Sequence, residues 1–145
     1  MFNVKFIKLR AGASLPQYQT KGAAGMDLCA LIEEPVTLKP MERAALPTGL
    51  ALEIPDGFEA QIRPRSGLAL KNGLTVLNAP GTIDSDYRGE LQIIIINLGK
   101  NTEVIHNGDR IAQIVFAPVV RVNCVLAEAL SVTERQNGGF GSTGI

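Results

Sequence analysis

The sequence predicts an all-β chain, a β-sandwich or barrel with one short helix and a flexible glycine-rich C-terminal arm. Turn-forming Gly, Pro, Asn and Asp residues recur at short intervals, and helical periodicity is nearly absent. Many short apolar stretches separated in this way are typical of sandwiches and barrels. The 145 residues, 46% of them hydrophobic, suffice for one domain with a single core and argue against wholesale disorder.

The individual strands are predicted from short runs of alternating or β-branched residues between these turns. In chain order the runs are 4–9, 25–30, 36–38, 44–54, 58–63, 74–78, 82–83, 90–97, 103–105, 110–116 and 120–125. The isoleucines at 93–96 indicate a strand buried on both faces, between sheets or against another subunit. The helix is predicted over residues 67–71, with the Ser66 hydroxyl as its N-terminal cap.

Charge and composition exclude several classes of function. Fourteen Lys and Arg residues balance fourteen Asp and Glu residues, and a neutral chain argues against nucleic-acid or membrane-surface binding. No apolar run reaches the roughly 18 residues of a membrane span, and the N-terminus alternates like a strand, unlike a signal peptide. Two cysteines and one histidine are too few for a disulfide scaffold or a zinc site. We expect a soluble, cytoplasmic protein without nucleic-acid or membrane partners.

Four local features could carry chemistry. Residues 64–67 (PRSG) place an arginine, a hydroxyl and backbone N–H groups at the start of the predicted helix, where anions bind. Residues 81–90 (GTIDSDYRGE) crowd carboxylates and a tyrosine into one segment, which suits base chemistry or metal binding. The glycine-rich tail after Arg135 lacks the lysine of a phosphate loop. Asp27 and Gln113 interrupt apolar strands. Taken singly, each feature is more simply an ordinary turn, strand edge or chain end.

The order of these features carries a more specific resemblance. Five segments resemble the five ordered motifs of the trimeric deoxyuridine triphosphatase (dUTPase) family: AGMDL at 24–28, PRSGLA at 64–69, GTIDSDYRGE at 81–90, GDRIAQ at 108–113 and RQNGGFGSTG at 135–144. The resemblance implies a β-jelly-roll domain over residues 1–134 and a mobile arm over 135–145 that closes over the active site. It also implies a homotrimer whose active sites are shared between subunits.

The reaction implied by the resemblance is hydrolysis of dUTP to dUMP and pyrophosphate, which keeps uracil out of DNA and supplies dUMP for thymidylate synthesis. Asp84 would activate the water that attacks the α-phosphorus in line, because nearby phosphates raise the basicity of a carboxylate. Arg65 and Arg135 complete the implied catalytic set. Mg²⁺ is expected on the phosphates, with Asp27 reaching the ion only through water.

The resemblance also implies the residues that bind the nucleotide. Those expected at the phosphates are Ser66, Gly67, Gln113, Gly141, Ser142 and Thr143. Phe140 would stack on the uracil, and the base and sugar would be selected by the segment that contains Asn78, Gly81, Thr82, Ile83 and Tyr87. Tyr87 would pack under the deoxyribose and leave no room for a 2′-hydroxyl. Gln136 departs from the glycine of many relatives, and three arginines keep no assigned role: Arg63, Arg88 and Arg110.

Three alternatives stay open. A dCTP deaminase has the same fold, but in that family the position of Ile94 carries a glutamate, and isoleucine cannot transfer protons. A module that binds dUTP without hydrolysing it is disfavoured by the presence of Asp84, Arg65 and Arg135. A purely structural β-sandwich would leave the anion-binding turn and the glycine-rich tail unexplained.

Overall fold

The structure, a computed structural model, describes residues 2–141. Those residues form eleven strands and one short helix, which confirms the all-β prediction. The elements are β1 (Lys5–Lys8), β2 (Met26–Cys29), β3 (Val36–Leu38), β4 (Arg43–Pro47), β5 (Leu50–Glu53), β6 (Phe58–Arg63), α1 (Ser66–Asn72), β7 (Leu74–Val76), β8 (Gly81–Ile83), β9 (Gln92–Asn97), β10 (Glu103–Ile105) and β11 (Arg110–Pro118). Within the same range, no helix has the length and hydropathy of a membrane span.

The strands pair antiparallel and mostly with partners distant in sequence. The order in the four-stranded sheet is β2-β11-β6-β8, and the order in the three-stranded sheet is β4-β9-β7. Two further pairs, β1-β5 and β10-β3, complete the described architecture. Side chains from all of these sheets meet in a single apolar core. This crossed-over arrangement of antiparallel strands is consistent with a jelly roll.

The isoleucine strand β9 lies at the centre of the three-stranded sheet. Ile93 and Ile95 are each 1% exposed and belong to the core. On the opposite face of the strand Ile96 is buried as well, and Ile94 is half-buried. The isoleucines of β9 are therefore buried or half-buried on both faces, as predicted, while Gln92 at the start of the strand is exposed.

Three local predictions are wrong. The stretch 44–54 divides into β4 and β5, because Gly49 adopts a left-handed φ of 69° and turns the chain. Helix α1 begins at Ser66 itself; its N-cap is Arg65, in an extended conformation, and no side chain caps the helix. Residues 120–125 form no strand and are exposed, since a strand requires a paired neighbour and no described strand pairs with them.

Candidate active site

Strand register aligns three polar side chains across the four-stranded sheet. Asp27 of β2 pairs with Gln113 of β11, and Gln113 pairs in turn with Arg63 of β6. Residues directly opposite each other in neighbouring strands project from the same face of a sheet. The two isolated polar residues of the sequence, Asp27 and Gln113, are thus immediate neighbours.

The Asp27 carboxylate lies between two arginines. Arg65 Nε donates to Asp27 Oδ1 at 2.9 Å, and Arg110 Nη1 donates to Asp27 Oδ2 at 3.3 Å. Only 18% of the Asp27 side chain is exposed, so these ion pairs are partly shielded from water and stronger than surface pairs. Arg65 and Arg110 both line a cleft of about 320 Å³. The three residues, called here the arginine cluster, carry a net charge of +1 when ionised, which suits an anionic ligand; the carboxylates of Glu103 and Asp109 also line the cleft.

The turn between β6 and α1 is tied to this cluster. Gln113 Nε2 donates to the carbonyl oxygen of Pro64 at 2.9 Å. Gly25 provides the space for this amide, because a Cβ at that position would lie 2.5 Å from Gln113 Oε1. Ser66 and Gly67 follow at the first turn of α1, where both are exposed. The Ser66 hydroxyl and the first N–H groups of the helix are therefore accessible to a ligand.

Cys29 adjoins the arginine cluster as a free, half-buried thiol. Burial raises the pKa of its thiol above the ordinary value, and the Asp27 charge raises that pKa further. A thiol attacks only as the thiolate. The fraction of thiolate at Cys29 is therefore lower than that of an ordinary free cysteine.

A second cleft, of about 380 Å³, lies beside β8 and contains several of the residues expected to bind the base and sugar. Its lining includes Thr82, Ile83, Asp84 and Tyr87. Asp84 comes directly after β8, and the Tyr87 N–H donates to the Asp84 carbonyl oxygen at 3.1 Å, which closes a turn. The exposed Asp84 side chain stands at the wall of this cleft, called here the β8 cleft.

Tyr87 is held in place by its own segment. Tyr87 Oη donates to the carbonyl oxygen of Glu90 at 3.0 Å, and the ring packs against Gly89. The Glu90 carboxylate is itself bound by Arg10 Nη2 at 2.5 Å and by the Gly49 N–H at 2.8 Å. The hydrogen bond from Arg10 is the main cause that lowers the pKa of Glu90 below its usual value. Sequence reasoning missed Arg10 and Glu90 as supports of Tyr87.

Asn78 and Gly81 are also in contact at the start of β8. A Cβ at Gly81 would lie 3.2 Å from Asn78 Nδ2, so the glycine leaves space for the amide. Gly81 is buried and pairs with Ile62 of β6, while Asn78 is exposed. The amide of Asn78 therefore stands at the start of β8, and Asn78 is not among the residues that line the β8 cleft.

The residues of the expected arm lie apart from both clefts within the described chain. Arg135 Nε donates to the carbonyl oxygen of Gly138 at 2.8 Å, and the Phe140 side chain is fully exposed. Gly141 is also exposed. Ser142 and Thr143 lie outside the described residues. Within one chain, the described arm residues thus do not reach the groups expected to bind the nucleotide.

The arginine cluster and the β8 cleft are also separate from each other. Ile83 pairs with Ala60, which places Asp84 level with Glu59 near the start of β6. Arg65 follows the opposite end of β6, six residues beyond Glu59, so that at about 3.3 Å per residue up to about 20 Å of chain lies between their backbones. The Arg65 guanidinium also points towards β2, at the other edge of the sheet from β8.

The residues that could serve a metal ion are few. Among residues 2–141, no three Asp, Glu, His or Cys side chains cluster closely enough to hold a metal ion. Mg²⁺ commonly keeps several waters and takes its other ligands from substrate phosphates. The lone Asp27 carboxylate, with lone pairs remaining beside its two arginines, fits a contact to such an ion through water.

Comparison with known proteins identifies the family. The sequence profile of the dUTPase family matches residues 11–144. The deoxyuridine 5′-triphosphate nucleotidohydrolase of Treponema denticola is 61% identical over 140 residues, covering 97% of each chain. That of Chlamydia pneumoniae is 58% identical over 140 residues, covering 96% of this chain and 97% of the relative.

Solved structures agree with the sequence relatives. The Staphylococcus bacteriophage 80alpha dUTPase with dUpNHpp has a TM-score of 0.86 and 29% identity, with all of both chains covered. A mutant dUTPase of S. aureus phage phi11, solved to show the coordination of a structural Mg(II) ion, has a TM-score of 0.81 and 26% identity, covering 90% of this chain and 100% of that one. The ordered motifs, the fold and these relatives lead to one conclusion: the chain belongs to the dUTPase family.

Proposed function

We propose that this enzyme hydrolyses dUTP to dUMP and pyrophosphate, with Asp84 activating the water that attacks the α-phosphorus. The observation that carries the proposal is the β8 cleft, in which an exposed carboxylate stands beside Tyr87 and an edge strand. A carboxylate that meets phosphate charge gains basicity and becomes a suitable general base. The nucleoside would occupy this cleft, with its α-phosphate directed towards Asp84.

Strand β8 provides the groups that select the base. It stands at the edge of the four-stranded sheet, so one side of its backbone has no neighbour among the described strands. The N–H and C=O groups on that side can pair with uracil and leave the reversed pattern of cytosine unsatisfied. A buried mismatch of donors and acceptors is a strong discriminator. Tyr87 packs under the deoxyribose and excludes a 2′-hydroxyl by contact.

The arginine cluster takes the phosphates. A triphosphate carries about four negative charges near neutral pH, and preorganised donors stabilise the charge that develops as pyrophosphate leaves. Arg65, the Ser66 hydroxyl, the Gly67 N–H and Gln113 supply these donors. Asp27 would hold Mg²⁺ through water, and the ion would supply charge neutralisation at the phosphates.

A complete site requires more than one chain. Because Asp84 lies level with one end of β6 and Arg65 follows the other, with up to about 20 Å of chain between these points, we assign the β8 cleft and the arginine cluster of one site to different subunits of a homotrimer. The arm, residues 135–145, then closes the site with Arg135 at the phosphates, Phe140 on the uracil, and the small residues Gly141, Ser142 and Thr143 wrapped around the terminal phosphates.

Both cysteines are free, in agreement with a reducing, cytoplasmic location.

The test is turnover of four nucleotides, dUTP, dCTP, dTTP and UTP, each with Mg²⁺, with pyrophosphate and nucleotide products measured. We expect dUMP and pyrophosphate from dUTP, and little product from the other three. In the variant Asp84→Asn, kcat is expected to fall by several orders of magnitude while dUpNHpp still binds. Deamination of dCTP, or an Asp84→Asn variant with normal turnover, would contradict the proposal.

A truncated chain that ends at residue 134 tests the arm separately. We expect it to lose hydrolysis and to keep the oligomeric state of the full chain, because residues after β11 make no strand pairing among the described residues. Mass measurement in solution together with turnover separates the two effects. A truncated chain that becomes monomeric would make the arm a structural element instead.

A further inference from the structure

We propose that Arg110 is a positioning residue. It orients the Arg65 guanidinium towards the phosphates, and it offsets the negative charge of Asp27 so that Arg65 still attracts a phosphate. This inference rests on the proposed function, in which Arg65 takes a phosphate group. Arg110 acts on Arg65 in two ways, through the Asp27 carboxylate and through its own backbone carbonyl.

The contacts form a closed set. Arg65 Nε donates to Asp27 Oδ1 at 2.9 Å, and Arg65 Nη1 donates to the carbonyl oxygen of Arg110 at 3.0 Å. Arg110 Nη1 completes the set by donating to Asp27 Oδ2 at 3.3 Å. A guanidinium has five N–H donors in a planar fork. The two bonds from Arg65 fix the plane of that fork and leave three N–H donors, two of them on Nη2, for a ligand.

A β-bulge in β11 explains why Arg110 faces Asp27. The pairing of β11 with β2 shifts between Arg110 and Ala112. Side chains normally alternate along a strand, so Arg110 would otherwise project into the core on the side of Ala112. The bulge breaks this alternation: the consecutive residues Ile111 and Ala112 are both buried, and the Arg110 side chain is 55% exposed. Bulges commonly re-aim a side chain next to an active site.

Charge balance supports the same role. Asp27 carries one negative charge and meets two positive ones, so these three residues together carry a net charge of +1, beside the Glu103 and Asp109 carboxylates that also line the cleft. Without the Arg110 side chain, Asp27 would pair with Arg65 alone and offset its whole charge. The affinity of Arg65 for a phosphate would then fall although Arg65 itself is unchanged.

The test compares Arg110→Gln and Arg110→Lys in the wild-type background and in an Arg65→Gln background. Removing a charge-assisted contact predicts that Arg110→Gln lowers both kcat/KM for dUTP and the affinity for dUpNHpp by about ten- to a hundredfold. Arg110→Lys keeps the charge and one donor, so its loss is expected within about threefold. The control is Arg43→Gln, which removes the same charge from an exposed site on β4 and should change neither quantity.

The double variant gives the readout that a purely structural role would not produce. If Arg110 acts through Arg65, Arg110→Gln has little further effect once Arg65 is Gln. Equal losses in both backgrounds would overturn the inference, as would an Arg110→Gln variant with wild-type affinity for dUpNHpp. If Arg110→Gln does not fold, Arg110→Met replaces it. A wild-type chain that binds dUpNHpp without hydrolysing dUTP would contradict the proposed function, while the binding data would still decide the role of Arg110.

Discussion

Gly89 leaves the space that the Tyr87 side chain occupies. A Cβ at residue 89 would lie 2.3 Å from Tyr87 Oη and 2.5 Å from Tyr87 Cζ, well inside any allowed contact. Tyr87 Oη also donates to the carbonyl oxygen of Glu90. A single missing side chain therefore sets the position of the ring on which the proposed sugar selection depends.

We predict that Gly89→Ala lowers kcat/KM for dUTP by about ten- to a hundredfold, because the Tyr87 ring must move away from its position in the β8 cleft. Steady-state kinetics check this, and rejection of UTP should weaken in parallel. The matched control is Gly22→Ala, since a Cβ at residue 22 meets nothing within 4 Å. An unchanged kcat/KM in Gly89→Ala would mean that the ring position does not matter.

The ion pair between Arg10 and Glu90 links the N-terminal segment to the Tyr87 turn. Its hydrogen bond lowers the pKa of Glu90, and the Gly49 N–H lowers that pKa further. A folded-state pKa below the unfolded value contributes stability above the unfolded pKa, about 4.3 for Glu. This contribution is lost as the pH falls through the lower, folded-state pKa.

We therefore predict that Arg10→Gln reduces the free energy of unfolding by a constant amount above about pH 5, and by less and less as the pH falls below about 4. Urea unfolding of the variant and of the wild type, at pH values above about 5 and below about 4, measures the difference in the free energy of unfolding. Arg43→Gln, which removes an exposed charge on β4, should give no such trend. A difference that does not depend on pH would argue against the ion pair as the cause.

At the scale of elements, helix α1 depends on how it ends. Gly73 closes the helix in a left-handed conformation with φ of 69°, and its N–H bonds to the carbonyl oxygens of Ala69 and Leu68. A Cβ at Gly73 would lie 2.4 Å from backbone atoms of Gly99, after β9. The glycine thus permits both the helix stop and the close approach of two chain segments. In this way it holds α1, and with it the turn at Arg65, against the three-stranded sheet.

Gly73→Ala is predicted to lower the free energy of unfolding by about 1–2 kcal/mol for the left-handed conformation alone, with a further loss from the contact with Gly99. Gly67→Ala, in the first turn of the same helix, meets no atom within 4 Å and should be neutral or stabilising, since alanine favours a helix over glycine. Denaturant unfolding compares the two. A Gly73→Ala variant as stable as Gly67→Ala would contradict the prediction.

For the whole molecule, the separation of Asp84 from Arg65 makes a prediction about association. If one active site takes Asp84 from one subunit and Arg65 from another, Asp84→Asn and Arg65→Gln chains are each inactive by themselves. A trimer that mixes them contains some sites in which both residues are intact. Refolding the two variants together should then restore part of the hydrolysis of dUTP.

The measurement is pyrophosphate release by the co-refolded mixture, with mass spectrometry to show that mixed trimers form. Each variant refolded alone is the control and should stay inactive. As a second control, the doubly substituted chain refolded with Asp84→Asn has no intact Asp84 and should not recover. Mixed trimers without recovered activity would indicate that each site is built within one subunit.

The strands could be predicted to the extent that their patterns are local. Alternation and β-branched residues marked β9 and β11, and the turns between them, because these signals span only a few residues. Residues 120–125 show the limit of this reasoning. Their composition favours a strand, but a strand exists only where another strand pairs with it, and the described chain supplies none.

The residues of the candidate site also fall into two groups, those that a local motif predicts and those that only the fold brings together. The motif order named Asp27, Arg65, Asp84 and Gln113 without any structure. Arg110 stayed without a role, because a one-residue bulge changes which face a side chain occupies. Arg10 and Glu90 lie 80 residues apart in sequence, so no local pattern links them.

The sequence by itself determined the family, the all-β class and the residues proposed to bind phosphate, base and sugar. Only the tertiary structure decided which of these residues are neighbours: Asp27 between two arginines, Tyr87 over Gly89, and Asp84 far from Arg65. The physical reason is that side-chain alternation and turn chemistry act over a few residues. Strand register and pairing, by contrast, join residues that are dozens of positions apart and depend on the packing of the whole core.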